Sequence, residues 1–189
     1  RHTSKPIRSA RAKGPIGWFA PSFIASSISS FVATPSARIP IPSLTIGIRI
    51  LFTTKPGASL TVTGVLPICF ETSTGFNSEK GKVVLYTMYC DYYINEEPES
   101  CFVAVNENDE AIGYIICAPD DERYQRIFKE KYAPILKKAS LFKYLFHYAG
   151  EWYTKKVRKL YPAHLHIDIL EEGQRKGLGT ALVDTLVAY

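Results

Sequence analysis

Residues 174–179 read Gln-Arg-Lys-Gly-Leu-Gly and lie where an alternating apolar run gives way to a helical pattern. A glycine turn at the start of a helix presents free backbone N–H groups, and these groups attract anions together with the helix dipole. Gly177 and Gly179 have no side chains, so a phosphate can approach the backbone closely. Positive charge and a hydroxyl group come from the neighbouring Arg175, Lys176 and Thr180. The segment therefore predicts a phosphate-binding turn.

Two common nucleotide-binding motifs do not fit this turn. The P-loop has four residues between its first Gly and the following Gly-Lys-Ser/Thr, but the fifth residue after Gly173 is Leu178. The dinucleotide fingerprint GxGxxG requires a glycine three residues after Gly179, where the chain has Leu182. The spacing that remains is Gln-x-x-Gly-x-Gly.

A row of polar side chains precedes the turn. The run HLHIDIL at 164–170 alternates, so in a strand His164, His166 and Asp168 share one face. Such a row within a sheet is unfavourable unless it meets water, a partner or a substrate. Histidine ordinarily titrates near neutrality, which suits proton transfer. The alternative is that the histidines only make hydrogen bonds in a packed sheet, and Asp168 either orients a histidine or caps a loop.

The elements that must position these groups follow from periodicity. SLTVTGVL at 59–66 has strand character, and PICFETSTGF at 67–76 is expected to begin a helix. CFVAV at 101–105 and AIGYIIC at 111–117 flank the polar NENDE, which indicates a β-hairpin. Residues 121–160 have a helical pattern that ends before Pro162.

The last helix carries one apolar stripe, formed by Leu178, Leu182, Val183 and Leu186. The order strand–helix, hairpin, helices, strand–helix predicts an α/β domain.

The Gln-x-x-Gly-x-Gly turn, placed after a hairpin and a strand and at the start of an amphipathic helix, resembles the pyrophosphate-binding motif of the GCN5-related N-acetyltransferase (GNAT) superfamily. ESCFVAVNENDEAIGYIICAPD at 99–120 looks like the second and third strands of that family. YPAHLHIDILEEGQRKGLG at 161–179 is also similar to the acetyltransferase-like domain of O-GlcNAc hydrolases and its bacterial stand-alone relatives. The resemblance covers about residues 68–189. It implies a mixed, mostly antiparallel sheet flanked by helices, with the domain's last strands missing.

The resemblance also implies an activity and its site. It predicts an acetyl-CoA-dependent N-acetyltransferase without a metal, acting on a primary amine of a small molecule or a protein. The alternative is an inactive CoA-binding or protein-interaction module. The implied pyrophosphate site comprises Gln174, Arg175, Lys176, Gly177, Leu178, Gly179 and Thr180. The strand end at Ile169 and Leu170 is expected to face the pantetheine arm and the thioester.

Two further features of the family bear on proton transfer. The pair His164 and His166 resembles the His-x-His of serotonin N-acetyltransferases on the same strand, where the histidines serve proton removal. Many members carry a tyrosine beyond the next strand as general acid to the thiolate, and no such position is expected before Tyr189.

The segment 123–160 is basic and aromatic, with eleven Lys and Arg, two acids and nine aromatic residues. Basic charge with stacking surfaces is a pattern that binds RNA or single-stranded DNA. The interpretation we prefer is a set of amphipathic helices whose aromatic side chains face the core and whose lysines are solvated. It predicts no nucleic-acid partner and a role for this insert in shaping the acceptor pocket.

The first 60 residues differ from the rest, being rich in Ser, Pro and Arg without any acid. Four interpretations remain open: a disordered extension, an organellar transit segment, a gene-model artefact or folded structure. Their apolar run at 16–33 holds five serines and a proline, which is too polar for a membrane span. We expect residues 61–189 to form the partial acetyltransferase domain, and removal of residues 1–58 to leave its melting unchanged.

The totals limit the class of protein. The chain has 189 residues, of which 46% are hydrophobic, enough for one core. Eight basic residues precede the first acid, Glu71, so the net charge of +5 arises from the N-terminal part. None of the four cysteines forms a CxxC pair, which disfavours a zinc site and predicts reduced thiols. The prediction is a cytoplasmic protein, or an organellar one if residues 1–60 act as a transit segment, and no oligomeric state is predicted.

Overall fold

A computed structural model describes residues 48–52 and 59–189. The described strands form one sheet in the order β1–β2–β3–β4, in which all neighbours are antiparallel. These strands are β1 (Arg49–Phe52), β2 (Cys101–Val105), β3 (Ala111–Ala118) and β4 (His164–Ile169). The helices are α1 (Ser59–Thr72), α2 (Glu79–Tyr89), α3 (Asp91–Glu96), α4 (Asp121–Ile127), α5 (Ala133–Ala139), α6 (Leu141–Leu160) and α7 (Leu178–Ala188). The predicted α/β fold, with an antiparallel sheet flanked by helices, is confirmed.

The β2–β3 hairpin forms as its sequence predicts. The side-chain oxygen of Asn106 accepts hydrogen bonds from the backbone N–H groups of Asn108 and Glu110, at 2.9 and 3.0 Å. Asp109 adopts the left-handed conformation with φ 63°. Asn and Asp favour such turns because their short side chains form hydrogen bonds with nearby backbone groups and tolerate the left-handed conformation.

The strand predicted at residues 59–66 is wrong, because these residues form the first half of α1. Val65, Ile68 and Cys69 recur at helical spacing and are buried against the sheet. Burial of this face outweighs the strand propensity of the β-branched residues. Gly64 lets α1 approach β2 closely, since a Cβ at this position would lie 2.8 Å from Cγ1 of Val103.

The sheet separates two apolar clusters. On one face, Val103, Tyr114 and Ile116 pack with buried residues of α1, α2, α3 and α5. On the other face, Phe102, Ala104, Ile112 and Ile115 pack against Leu178 and Leu182 of α7. Val183 and Leu186 pack at the margin of this second cluster, so the predicted stripe of the last helix is confirmed. Alternating strand residues thus direct one face of the sheet toward α7, which packs mainly under β2 and β3, and the opposite face toward α1, α2, α3 and α5.

Part of the N-terminal segment belongs to the sheet. β1 pairs with β2 from Arg49↔Val105 to Phe52↔Phe102. Removal of residues 1–58 would therefore take away a strand, which corrects the expectation that this deletion is neutral. Residues 1–47 and 53–58 lie outside the described residues, and the interpretation of the segment stays a prediction there.

The helical pattern at residues 121–160 is confirmed as α4, a π-helical turn at Phe128–Tyr132, α5 and α6. The expectation that its aromatic side chains face the core is wrong for part of α6. Phe142, Trp152 and Tyr153 are 73%, 79% and 72% exposed. The inward side of α6 carries Tyr144 and Tyr148, which pack against the core, and a polar group in which Arg158 pairs with Glu151 and Asp121. The exposed apolar residues lie on the outward side of the helix.

Candidate active site at the end of strand β4

β4 presents its two kinds of side chain to different layers. Leu165, Ile167 and Ile169 pack on the α7 side of the sheet. His164 and His166 contact aromatic rings of the opposite layer. The alternation of the sequence therefore appears in the structure as a histidine row on the face that carries α1 to α3.

Tyrosine rings surround the two histidines. The Tyr124 ring lies 4.5 Å from the His164 ring, and the Tyr93 ring lies 5.8 Å from it. His166 meets Tyr93 at 5.6 Å and Tyr89 at 5.2 Å between ring centroids. All four contacts are edge-on, the arrangement that aromatic rings prefer. These tyrosines lie on α2, α3 and α4, far along the chain, and no spacing in the sequence indicates that they meet β4.

Burial keeps both histidines neutral. It lowers the pKa of His164 to about 4, with smaller contributions from His166 and Arg158. It also lowers the pKa of His166, although the charge of Asp168 acts in the opposite direction. In the described part of the chain, Nδ1 of His164 is buried without a hydrogen-bond partner. The row therefore holds unprotonated imidazoles at neutral pH instead of titrating there.

Asp168 is held by a tyrosine. The Tyr114 hydroxyl on β3 donates a hydrogen bond to Oδ2 of Asp168, its cross-strand partner. Burial raises the pKa of Tyr114, with the charges of Cys90, Cys69 and Asp168 adding to the effect, so the phenol keeps its proton. The suggested bond from Asp168 to a histidine is replaced by this pair, and Asp168 acts on His166 only through its charge.

The Gln174 side chain ties the glycine turn to the end of β4. Nε2 of Gln174 donates to the carbonyl of Ile169 at 2.8 Å, and the Gly173 N–H donates to the carbonyl of Leu170 at 2.9 Å. The Leu170 N–H in turn bonds the carbonyl of Ile112 at 2.9 Å. These internal bonds fix the strand end and the turn as one unit. Gln174 thus has a structural role beside the binding role predicted for it.

The start of α7 carries free donors. Gly177 precedes the helix in the left-handed conformation, with φ 77°, and no side chain caps this end. The first helical bond runs from the Ala181 N–H to the Gly177 carbonyl at 3.0 Å. The N–H groups of Leu178, Gly179 and Thr180 precede that bond and have no partner within the helix.

The space beside the turn is open. A Cβ built on Gly177 would meet no atom within 4 Å. Arg175 is exposed with φ 61°, Lys176 is exposed, and the Leu178 side chain is buried below. Leu178 can therefore contribute only its backbone, while Arg175 and Lys176 bring positive charge next to a helix start. The open space and the positive charge at the helix start both favour the binding of an anion here.

A cleft of about 920 Å³ lies between α4 and α6. Its lining includes Asp120, Asp121, Glu122, Glu151, Trp152, Lys155, Arg158 and Lys159. The α4 wall of this cleft also carries Tyr124, whose ring lies 4.5 Å from the His164 ring, so this wall lies near the histidine row. The insert between β3 and β4 therefore reaches the neighbourhood of the row.

Two negative findings apply to residues 48–52 and 59–189. They contain no group of three or more His, Cys, Asp or Glu side chains placed to hold a metal ion. No helix among them has the length and apolar character needed to cross a bilayer. All four cysteines are free and buried.

Comparison with known proteins shows the family of this chain and several solved structures that are similar to it. Residues 69–189 match the model of the acetyltransferase (GNAT) family. The crystal structure of SsHAT is 22% identical, with a TM-score of 0.60 over 74% of this chain and 75% of that chain. A Drosophila melanogaster polyamine N-acetyltransferase that forms N-acetylagmatine is 17% identical, with a TM-score of 0.36 over 74% and 68%. No curated protein matches the chain. The likeness to SsHAT supports the fold.

Proposed function

Because the chain belongs to the acetyltransferase (GNAT) family, we propose that it is an acetyl-CoA-dependent N-acetyltransferase whose acceptor is a primary amine. One observation carries the proposal: the uncapped start of α7, opened by the left-handed Gly177 directly after β4. That arrangement offers backbone donors to a pyrophosphate, which is the part of CoA that the family binds with this motif.

The residues present fit that group. The N–H groups of Leu178, Gly179 and Thr180 would bind the pyrophosphate, and the open space at Gly177 admits it. Arg175 and Lys176 would add electrostatic attraction, and the Thr180 hydroxyl one more hydrogen bond. Acetyl-CoA supplies an acetyl group activated as a thioester. The end of β4 at Ile169 and Leu170 would lie beside its pantetheine arm.

The histidine row would accept the proton of the amine. An amine nitrogen becomes far more acidic as its lone pair bonds to a carbonyl carbon. A neutral imidazole of low basicity can therefore take the proton at that stage, although it could not deprotonate a free ammonium ion. His164 and His166 have this character, since burial keeps them unprotonated. Asp168, held by Tyr114, would favour the transient charge on His166.

The acceptor side of the proposed site includes the insert. The α4 wall of the α4–α6 cleft lies near His164, so the amine's carrier, whether a small molecule or a protein, would approach along this wall. We place the reaction in the cytoplasm, with an organelle as the alternative if residues 1–60 act as a transit segment.

Calorimetric titration of the full-length protein with acetyl-CoA tests the first half of the proposal. We expect saturable binding that Gly177→Asp abolishes. Coupled thiol release with a panel of primary amines tests the second half. Binding without transfer to any amine would favour the inactive CoA-binding module, and the absence of binding would reject both. The packing of both histidines among tyrosine rings is the observation that favours such a module.

A further inference from the structure

The outward side of α6 is an apolar surface with a basic end. Phe142, Leu145, Trp152, Tyr153, Val157 and Leu160 form what we call the outer stripe, and all six are exposed. Successive members are one, three, four or seven residues apart, and at 3.6 residues per turn all six fall on one side of the helix. The helix has 20 residues and is therefore about 30 Å long, so the stripe is a continuous ridge. Isolated exposed apolar residues are ordinary, but a ridge of this length indicates an interaction surface.

Basic side chains accompany the stripe at its C-terminal half. Lys155, Lys156 and Lys159 are exposed, and helical spacing puts Lys156 inside the stripe and Lys159 along its border, while Lys155 lies beside the α4–α6 cleft. The single acid of α6, Glu151, turns inward and pairs with Arg158. Asp121, in the adjoining cleft, also pairs with Arg158 at 3.6 Å. The exposed charge of this helix is therefore positive.

We propose that the outer stripe docks this protein on an anionic lipid surface, with α6 lying in the plane of the membrane. A helix with aromatic and aliphatic residues on one side and lysines at its border binds the interface in this way. Lysine stems can follow the apolar face while their ammonium groups reach lipid phosphates and carboxylates. Trp152 and Tyr153 are amphipathic rings suited to the depth of the headgroups.

The other partners fit this surface less well. Nucleic-acid bases stack on flat rings in a basic groove, whereas the stripe is a ridge and half of it is aliphatic: Leu145, Val157 and Leu160. A second copy of the chain would present the same positive charge beside its own stripe, so the two surfaces are not electrostatically complementary. An anionic bilayer can accept the ridge without a preformed complementary groove, and its negative charge attracts the lysines of α6.

Vesicle binding by the full chain tests the proposal, with phosphatidylcholine vesicles either pure or containing phosphatidylserine. The chain has two tryptophans, Trp18 and Trp152, so a Trp18→Phe background makes the emission report on the stripe. We expect cosedimentation with the phosphatidylserine vesicles and a blue shift of Trp152 emission. Pure phosphatidylcholine should bind much more weakly.

Two sets of variants separate the apolar from the charged contribution. Phe142→Gln, Leu145→Gln and Leu160→Gln together should weaken binding more than 10-fold. The control is Val83→Gln, Ile135→Gln and Val187→Gln, which alters exposed apolar residues outside the stripe. Lys155→Gln, Lys156→Gln and Lys159→Gln together should weaken binding to phosphatidylserine vesicles about 100-fold. Lys80→Gln, Lys129→Gln and Lys138→Gln, also exposed, should have a much smaller effect.

Three results would overturn the proposal. One is equal affinity for the two kinds of vesicle, or no shift of Trp152 emission. Another is RNA binding that the stripe variant abolishes while vesicle binding is absent. The third is concentration-dependent dimerisation lost in the stripe variant, which would make the stripe an interface between copies. None of these depends on acetyl transfer, so the test is independent of the enzymatic proposal.

Discussion

The two ends of β4 are built on different principles. After the strand, the glycine turn presents backbone N–H groups to open space. The Gln174 side chain fixes the turn through its hydrogen bond to the Ile169 carbonyl. Along the strand, the histidines are half-buried side chains whose character comes from tyrosines on three other helices. A binding function made of backbone can be encoded in six consecutive residues. A proton-transfer function made of side chains depends on the whole fold.

The largest effect is expected from a charge placed in the turn. Gly177→Asp puts a carboxylate at the anion site and strains a backbone with φ 77°, so acetyl-CoA affinity should fall more than 100-fold by calorimetry. Gly75→Asp is the matched control, because Gly75 has φ 87° and equally open space. If the two variants lose affinity equally, strain explains the loss and the turn is not the binding site.

The second effect should change the rate and leave cofactor binding intact. His164→Gln with His166→Gln removes both imidazoles but not the backbone donors, so kcat should fall about 100-fold, within the range for a positioned base. The Kd of acetyl-CoA should stay within about twofold of wild type, because the turn does not use these side chains. His147→Gln is the control, since burial also lowers the pKa of this histidine to about 4, on α6. An unchanged kcat in the double variant would make the row structural.

The third effect concerns acid stability. His164 and His147 have pKa values lowered from 6.5 to about 4, and that of His166 is also lowered. As the pH falls below about 6.5, the unfolded chain takes up protons first, so the free energy of unfolding decreases until the pH reaches about 4. Between pH 7 and pH 5 the loss should be on the order of 2 kcal/mol for each of His164 and His147, about 30-fold in the unfolding constant. Urea titrations at pH 7 and pH 5 measure it.

The His164→Gln and His166→Gln double variant sharpens this third test. It should lose part of the pH dependence and keep the part that arises from His147. A double variant with the full wild-type slope would show that the row is not buried in solution.

The smallest effect is expected at Gln174. Its side-chain bond to the Ile169 carbonyl is exposed, and such bonds contribute about 0.5–1 kcal/mol. Gln174→Met keeps the size and removes the donor, so acetyl-CoA affinity should fall about two- to fivefold, with melting nearly unchanged. A loss as large as that of Gly177→Asp would mean that Gln174 contacts the cofactor directly.

The sequence predicts best what is local. The glycine turn, the Asn106 hairpin and the stripe of Leu178 and Leu182 depend on neighbours within a few residues, and the structure contains all three. The strand predicted at residues 59–66 is wrong because these residues form a helix whose Val65 is buried against β2 and β3, which come much later in the chain.

The surroundings of the histidines could not be predicted for a similar reason. Tyr93 and Tyr124 meet His164 only through tertiary packing, and the lowered pKa follows from that packing. The outward aromatic residues of α6 were also missed, because periodicity shows that a helix has an apolar side without showing which way it points.

The position of β1 has a practical consequence for anyone who shortens this chain. Among the strands that the structure describes, β1 is a short one at the margin of the sheet, paired on one side with β2. A chain that began at Ser59 would leave the backbone N–H and C=O groups of Cys101–Val105 open along an apolar strand. Such an edge pairs readily with another copy and promotes aggregation. A shortened protein that begins before Arg49 should stay dispersed, whereas one that begins at Ser59 should be recovered mainly as insoluble material.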